Sequence, residues 1–262
     1  MRWLALASVY ALLRLMFAIL GLSMNVSLLR VLWLSVLMLL FCQKVFASVV
    51  VNGTRIIYPA ESREVTVKLD NLGDSPSLVQ AWVDDGDVNQ TADNSDAPFF
   101  LTPPVSRVES GRSQTLRILF TGTSLPSDQE SVFWLNVLEV PPSPISATSS
   151  DQNYLQVAFR SRLKLFYRPK GLSGNANNAP ALLRWRLVDD RLQVENPSDY
   201  HISFTEIRAL TDQSEVILDD KGLMIAPKQT MEFVVPRSAE RLRFITVNDY
   251  GGRVQHEARL DS

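Results

Sequence analysis

The sequence has little of the side-chain chemistry that most enzymes and disulfide-bonded proteins use. It contains one cysteine, Cys42, and two histidines, His201 and His256. Because Cys42 lies in an apolar N-terminal stretch that we expect to be removed, the mature chain has no disulfide and depends on packing for its stability. Neither histidine has a metal-type spacing, and the sequence contains no P-loop and no glycine-rich dinucleotide turn. The residues therefore favour binding over catalysis and predict no cofactor and no metal.

Two apolar runs at the N-terminus predict a removable leader. In the second run, residues 28–41, Arg30 marks the basic start, VLWLSVLMLLF is the apolar core, and VFAS supplies small residues for cleavage. We expect residues 1–47 to be a signal peptide, with Met24 as an alternative start codon that would make residues 1–23 an artefact of gene prediction. A membrane hairpin that retains both runs is less favoured, because the second run is short for a span.

The charge balance gives no support for nucleic-acid binding. The full chain has 26 basic and 28 acidic residues. The leader holds four of the bases and no acid, so the mature chain of 215 residues has 22 bases against 28 acids, a net charge of −6. A mild negative balance does not favour a nucleic acid as partner. Once the leader is cleaved, we expect no insertion into a membrane.

Short apolar or alternating runs recur along the mature chain, and helical periodicity is scarce. Seven such runs within about 120 residues are typical of an immunoglobulin-like β-sandwich. A polar, Gly- and Asn-rich stretch, RPKGLSGNANNAP, then separates them from a second series. We therefore predict an all-β protein with an N-terminal sandwich over 48–169, a linker over 170–180 and a C-terminal sandwich over 181–262.

One run is much longer than a typical strand. In NYLQVAFRSRLKLFYRP, residues 153–169, every second residue from Leu155 is apolar or small, including Val157 and Phe159. The other face carries mostly cations, including Lys164. This period-two pattern predicts a β-strand, and an overhanging strand exposes backbone groups to which another chain can pair. The patterning alone leaves open an ordinary half-buried strand with arginines and lysines that extend to solvent.

An acidic segment, DDGDVNQTADNSD, is the sharpest candidate for metal chemistry. Carboxylates at this density can bind Ca²⁺ or Mg²⁺, but the EF-hand order and its closing glutamate are missing. We therefore interpret the segment as a solvated loop, with a metal-dependent hydrolase as one alternative class of function. The five carboxylates of the segment belong to Asp84, Asp85, Asp87, Asp93 and Asp96.

The motif LPSDQESVFWLNVLEVPP, residues 125–142, resembles the signature of the periplasmic pilus-assembly chaperones of the chaperone–usher pathway. GTRIIYP near the mature start, KLFYRP and NDYGG also resemble motifs of this PapD-like family, and they occur in the same order. The resemblance covers the mature chain from residue 53 to residue 252. It implies two immunoglobulin-like sandwiches set at an angle, with a cleft between them.

The resemblance also implies roles for particular residues. Arg55 and Lys164 match the two cleft cations that bind the C-terminal carboxylate of a pilus subunit. The alternating hydrophobic residues that complete the subunit's own sandwich match Leu155, Val157 and Phe159. In a regular strand, Lys164 would lie on the opposite face to these three residues, so we expect a bulge or twist in the strand. An ion cluster between the domains matches Glu130, Arg168 and Asp249.

The loop at residues 143–153 is somewhat longer than in short-loop members of the family. The long-loop branch typically carries a cysteine pair there, which this chain lacks, so the resemblance places it in the short-loop branch.

The predicted function is that of a periplasmic, non-enzymatic chaperone. It binds and caps pilus subunits by donor-strand complementation and passes them to an outer-membrane usher. Whether the free chain self-associates through its long strand is left open. The alternative is a secreted two-domain immunoglobulin-like adhesin or structural pilus component, which would not need Arg55 and Lys164.

Overall fold

The chain folds into two consecutive β-sandwiches, which confirms the predicted all-β class and the two immunoglobulin-like domains. The computed structural model describes residues 49–142, 156–188, 191–211, 214–235 and 239–260. The expected signal peptide, Leu155 and the loop at 143–153 lie outside these residues. In the described part of the chain, the only helix is a 3₁₀ turn at Ala179–Leu182, and no helix has the length and apolar character that a membrane crossing requires.

The described part of the N-terminal sandwich contains nine strands in two sheets. One sheet has the order β1-β3-β7-β5 and the other has the order β2-β9-β8-β4-β6. The strands are β1 (Val49–Val51), β2 (Arg55–Pro59), β3 (Val65–Asn71), β4 (Ser77–Asp84), β5 (Phe99–Thr102), β6 (Val105–Val108), β7 (Ser113–Phe120), β8 (Ser131–Val140) and β9 (Phe159–Arg168).

Two of the seven apolar runs, SVVVNGTRIIY and PFFLTPPVSRV, are each predicted as a single strand but pass from one sheet to the other. The first run divides into β1 and β2 around Gly53, whose φ of +102° favours glycine. A later run divides into β5 and β6 at Pro103 and Pro104, which cannot donate hydrogen bonds to a sheet. These crossings explain why seven predicted runs give nine strands.

Alternation along the strands builds the core of this sandwich. In β3, Val67 and Leu69 are buried while Lys68 between them is exposed. In β9, Leu163 and Leu165 point into the same core, and Leu165 is completely buried. The core therefore fixes which face of β9 its remaining side chains occupy.

The C-terminal sandwich has its own hydrophobic core, built around Trp185, Phe204 and Phe244. Its sheets have the orders β10-β11-β15 and β13-β12-β16-β17, and β14 pairs with β12. The strands are β10 (Arg184–Val188), β11 (Arg191–Glu195), β12 (Ile202–Leu210), β13 (Glu215–Asp219), β14 (Met224–Ile225), β15 (Thr230–Val234), β16 (Arg241–Val247) and β17 (Arg253–Arg259).

Candidate functional site

Strand β9 is paired to different extents along its two edges. On one edge, β8 pairs with it antiparallel from Phe159 to Tyr167. On the other edge, β2 pairs with it in parallel, but only from Lys164 to Arg168. Within the described residues, no strand pairs with this second edge between Phe159 and Leu163. These five residues form an open edge about 17 Å long, at which backbone N–H and C=O groups face outward.

Two apolar side chains stand exposed at the start of this open edge. Phe159 is 65% exposed and Val157 is 44% exposed. The strand itself begins at Phe159 and not near Leu155 as the pattern predicts. The physical reason is that β8 ends at Val140 and is followed by two prolines, so within the described residues β8 does not continue alongside residues 156–158.

The apolar and cationic residues of β9 remain on opposite faces of the sheet. The pairing of β9 with β8 continues from Phe159 to Tyr167 without a shift in register. The structure therefore lacks the bulge that the position of Lys164 led us to expect in β9. Such a bulge is not needed, because a chain that binds at the edge of a sheet contacts side chains from both faces of that sheet.

Arg55 and Lys164 lie side by side at the end of the open edge. They are directly paired in the parallel register of β2 and β9, so their side chains share one face. The Arg55 guanidinium donates from Nη1 to the Val247 carbonyl over 2.8 Å, while its buried Nε has no partner. The Lys164 ammonium donates to Ser203 Oγ over 3.1 Å. Two neighbouring cations thus retain unused hydrogen-bond donors.

The surroundings of both cations disfavour their charged forms. Burial, and secondarily the charge of Arg55, lowers the pKa of Lys164 to about 8. Burial also lowers the pKa of Arg55, although the nearby carboxylates of Asp249 and Glu130 act in the opposite direction. Within the described residues, neither cation forms an ion pair with a carboxylate. A bound anion would supply the missing negative charge, so the pair is suited to capture a carboxylate.

The structure brings Glu130, Arg168 and Asp249 together at the junction of the two sandwiches. Arg168, the last residue of β9, forms an ion pair over 2.8 Å with Glu130 and another over 2.8 Å with Asp249 in the β16–β17 turn. Burial would lower the pKa of Arg168, but hydrogen bonds and the charges of both carboxylates raise it. The guanidinium therefore stays charged and links the N-terminal sandwich to the C-terminal one.

His201 is a fourth member of this ion cluster, and the sequence motifs do not indicate it. One Glu130 oxygen accepts a hydrogen bond from the His201 backbone N–H over 2.9 Å and lies 3.1 Å from the ring Nδ1. The His201 side chain is only 6% exposed. His201 directly precedes β12, and its neighbours in the sequence carry no signal of such a contact, because Glu130 is 71 residues away.

Two further cations of β9 bind a buried carboxylate on the polar face of the sheet. Asp84, the last residue of β4, is fully buried and forms ion pairs with Arg162 and, over 3.5 Å, with Arg160. Each guanidinium also lies over an indole ring, Arg160 at 4.8 Å from Trp82 and Arg162 at 4.9 Å from Trp134. We call these five residues the Asp84 cluster. It connects β9 to β4 and β8.

The Asp84 cluster also bears on the metal alternative. Burial would raise the pKa of Asp84, but hydrogen bonds from Arg162 and Asn136 hold it below its ordinary value. The carboxylate is thus an anion already surrounded by donors. Asp85, Asp87, Asp93 and Asp96 are exposed, and in the described ranges no three acidic, histidine or cysteine side chains are arranged to hold a metal ion.

The chain matches two family descriptions that together span most of its length. Residues 48–173 match the pili and flagellar-assembly chaperone PapD N-terminal domain, and residues 178–258 match the pili assembly chaperone PapD C-terminal domain. The chain is 41% identical over 230 residues to the probable fimbrial chaperone YadV of Escherichia coli K12, covering 84% of this chain and 93% of YadV. It is 43% identical over 220 residues to the chaperone FimB/FhaD of Bordetella pertussis, covering 82% and 88%.

Solved structures agree with these matches. The crystal structure of the YadV chaperone superposes with a TM-score of 0.70 at 39% identity, covering 82% of this chain and all of that one. The SafB chaperone, solved in complex with the Salmonella enterica SafA pilin, superposes with a TM-score of 0.69 at 26% identity, covering 84% and 99%.

The names of these relatives do not favour the adhesin alternative, since they describe chaperones. The two family matches cover both sandwiches and the motifs at 53–59, 125–142, 164–169 and 248–252. The chain therefore belongs to the PapD-like family of fimbrial assembly chaperones of the chaperone–usher pathway, whose members are not enzymes.

Proposed function

We propose that the chain captures pilus subunits in the periplasm by donor-strand complementation and delivers them to an outer-membrane usher. The observation that carries the proposal is the open edge of β9, which begins beside exposed Val157 and Phe159 and ends at Arg55 and Lys164. A strand of the pilus subunit adds to this edge, and its terminal carboxylate binds the two cations. The solved complex of the related SafB chaperone with the SafA pilin supports a pilin as the partner.

The position of the anchor, meaning Arg55 and Lys164, sets the direction of the bound strand. β9 runs from its open edge toward Lys164, where β2 begins with Arg55. A bound strand whose C-terminus lies at the anchor therefore runs parallel to β9 and is in line with β2. Its last residue lies beside Lys164, and the residues before it lie beside Phe159–Leu163.

Two kinds of contact contribute to the affinity in different ways. Covering the exposed parts of Val157 and Phe159 contributes about 1–2 kcal/mol each. Charge-assisted hydrogen bonds from the anchor contribute about 1.5–3 kcal/mol each, and they form only when the carboxylate reaches the two cations. The two exposed apolar residues and the anchor therefore contribute comparable amounts to the affinity, and the anchor also fixes the register.

The same proposal assigns the boundaries of the mature chain. Residues 1–47 are a signal peptide, residues 48–169 form the N-terminal domain, residues 170–180 form the linker, and residues 181–262 form the C-terminal domain. The family matches at 48–173 and 178–258 support this division, as does the backbone turn that precedes the 3₁₀ helix at Ala179–Leu182. Export by the signal peptide and the family together favour the periplasm.

The proposal is tested by co-expressing the chain with the major subunit of its pilus operon and capturing the complex from periplasmic extract. We expect wild type to retain the subunit, and Arg55→Ala and Lys164→Ala to lose most of it. Lys170→Ala is the matched control, because Lys170 is an exposed cation just beyond β9. This control should retain the subunit as wild type does.

Other outcomes would contradict separate parts of the proposal. If all variants retain the subunit equally, the anchor assignment is wrong. If wild type retains no subunit and the chain is found on the cell surface, the chain is not a periplasmic chaperone for that pilus.

A further inference from the structure

Both cations of the anchor are held by groups from the C-terminal sandwich. Lys164 lies on β9, but its ammonium donates to the hydroxyl of Ser203 on β12 over 3.1 Å. Arg55 lies on β2, but its guanidinium donates to the backbone carbonyl of Val247, the last residue of β16, over 2.8 Å. The N-terminal sandwich thus carries the charges, and the C-terminal sandwich determines where their polar ends lie.

The Ser203 hydroxyl is rigidly placed for this role. Ser203 is only 3% exposed, and its neighbours Ile202 and Phe204 are each 2% exposed in the core of the C-terminal sandwich. Its backbone is paired with Met224 of β14. The lysine side chain, in contrast, has a flexible four-carbon stem that packing alone does not orient. A fixed acceptor at the end of this stem selects one position for the ammonium.

The hydroxyl also matters for the charge of Lys164. The ammonium lies beside Arg55, and within the described residues no carboxylate forms an ion pair with it. Ser203 Oγ is the hydrogen-bond acceptor that the described structure gives it. Without this oxygen, a partly buried N–H group would lose its partner, and the lysine would release its proton more readily or turn toward solvent.

We propose that Ser203 is a positioning residue of the carboxylate anchor, whose hydroxyl holds the Lys164 ammonium beside Arg55 so that the anchor is complete only when both sandwiches are in place. This inference rests on the proposed function, because it assumes that Arg55 and Lys164 bind the terminal carboxylate of the pilus subunit. It adds a residue of the C-terminal sandwich to the recognition of that subunit.

The test uses the full mature chain and an N-acetylated peptide with the last fifteen or so residues of the subunit from the same operon. The peptide is made with a free carboxylate and with a terminal amide, and both affinities are measured at several pH values between 7 and 9. We expect Ser203→Ala to bind the carboxylate peptide about tenfold more weakly than wild type does, with little change for the amide. We also expect the pH at which carboxylate binding falls by half to move downward.

Two further variants separate positioning from folding. Ser203→Thr keeps a hydroxyl on a strand and should bind within about twofold of wild type. Thr205→Ala removes a hydroxyl from the same strand, but that hydroxyl bonds to the Ile245 carbonyl and not to Lys164. This control should leave both the affinity and the pH profile unchanged.

The inference is overturned if Ser203→Ala keeps the affinity and pH profile of wild type. It is equally overturned if Ser203→Ala weakens the carboxylate and amide peptides alike, because the residue would then only support the fold. If wild type itself does not prefer the carboxylate over the amide, the proposed anchor fails and the role of Ser203 fails with it.

Discussion

Binding of the pilus subunit should weaken as the pH rises from 7 to 9, because Lys164 loses its proton in this range. The pKa of Lys164 is lowered to about 8 in the free chain by burial and by Arg55. About nine-tenths of the ammonium groups are therefore charged at pH 7 and about one-tenth at pH 9. A bound carboxylate stabilises the ammonium, so the complex keeps the proton. The affinity should fall about tenfold between these pH values, or about 1.4 kcal/mol.

The assay is a fluorescence-anisotropy titration at pH 7, 8 and 9 and constant ionic strength, with an N-acetylated peptide that ends in the subunit's own last residues. The amidated form of the same peptide provides the first control, because it has no carboxylate for the ammonium to bind. Lys164→Arg provides the second control, because a guanidinium keeps its charge throughout this range. In both controls the affinity should be the same at all three pH values, whatever its absolute magnitude.

Two results would exclude Lys164 as the group that controls the affinity between pH 7 and pH 9. A wild-type affinity that is constant from pH 7 to pH 9 would show that Lys164 does not titrate there or does not contact the carboxylate. If the affinity of Lys164→Arg also falls as the pH rises, the titrating group is a residue other than Lys164.

The remaining predictions concern the open edge, the Asp84 cluster and the metal alternative. Phe159→Ser should reduce capture of the subunit in pull-downs at least several-fold, since it removes apolar surface that the subunit buries. Phe100→Ser, the control, alters a residue of similar exposure in the other sheet and should leave capture unchanged. Equal capture by both variants would contradict the role of β9. Asp84→Ala should lower the free energy of unfolding, measured in urea, by about 3 kcal/mol, because it leaves two arginines without their buried counter-ion. The control Asp85→Ala, on the exposed loop, should change this free energy by less than about 0.5 kcal/mol. A chelator should leave the melting temperature of the purified chain unchanged, since arginines already surround the Asp84 carboxylate; a decrease would revive the metal alternative.

Strand periodicity and turn residues are sufficient to predict the two sandwiches, because each strand alternates between a buried and an exposed face. The same signal fails where a strand changes sheets. Gly53 and the pair Pro103–Pro104 divide two runs, yet the side-chain pattern on either side of them remains apolar. Local patterns also cannot give the true start of β9, which depends on where its partner β8 ends at Val140.

The roles proposed for the site came from the motif resemblance, while the contacts within the site required the fold. The alternation of cations along β9 indicates a polar face, but it does not tell which cation meets which partner. Arg160 and Arg162 meet Asp84 within the N-terminal sandwich, whereas Lys164 and Arg168 reach the C-terminal one.

Ser203 and His201 could not be identified from the sequence. Each contacts a residue of the other sandwich, 39 residues away for Ser203 and Lys164, and 71 for His201 and Glu130. No local pattern encodes contacts of this range.

The most direct test of donor-strand complementation is backbone hydrogen exchange of the chain, measured free and in complex with its pilus subunit. We expect amides in the open edge, Phe159–Leu163, to exchange more slowly in the complex, because some of them donate to the added strand. The amides of β17 (Arg253–Arg259), an edge strand of the other sandwich, should exchange at the same rate in both states. Unchanged exchange in Phe159–Leu163 in a stable complex would show that the subunit binds elsewhere and that β9 is not the donor strand.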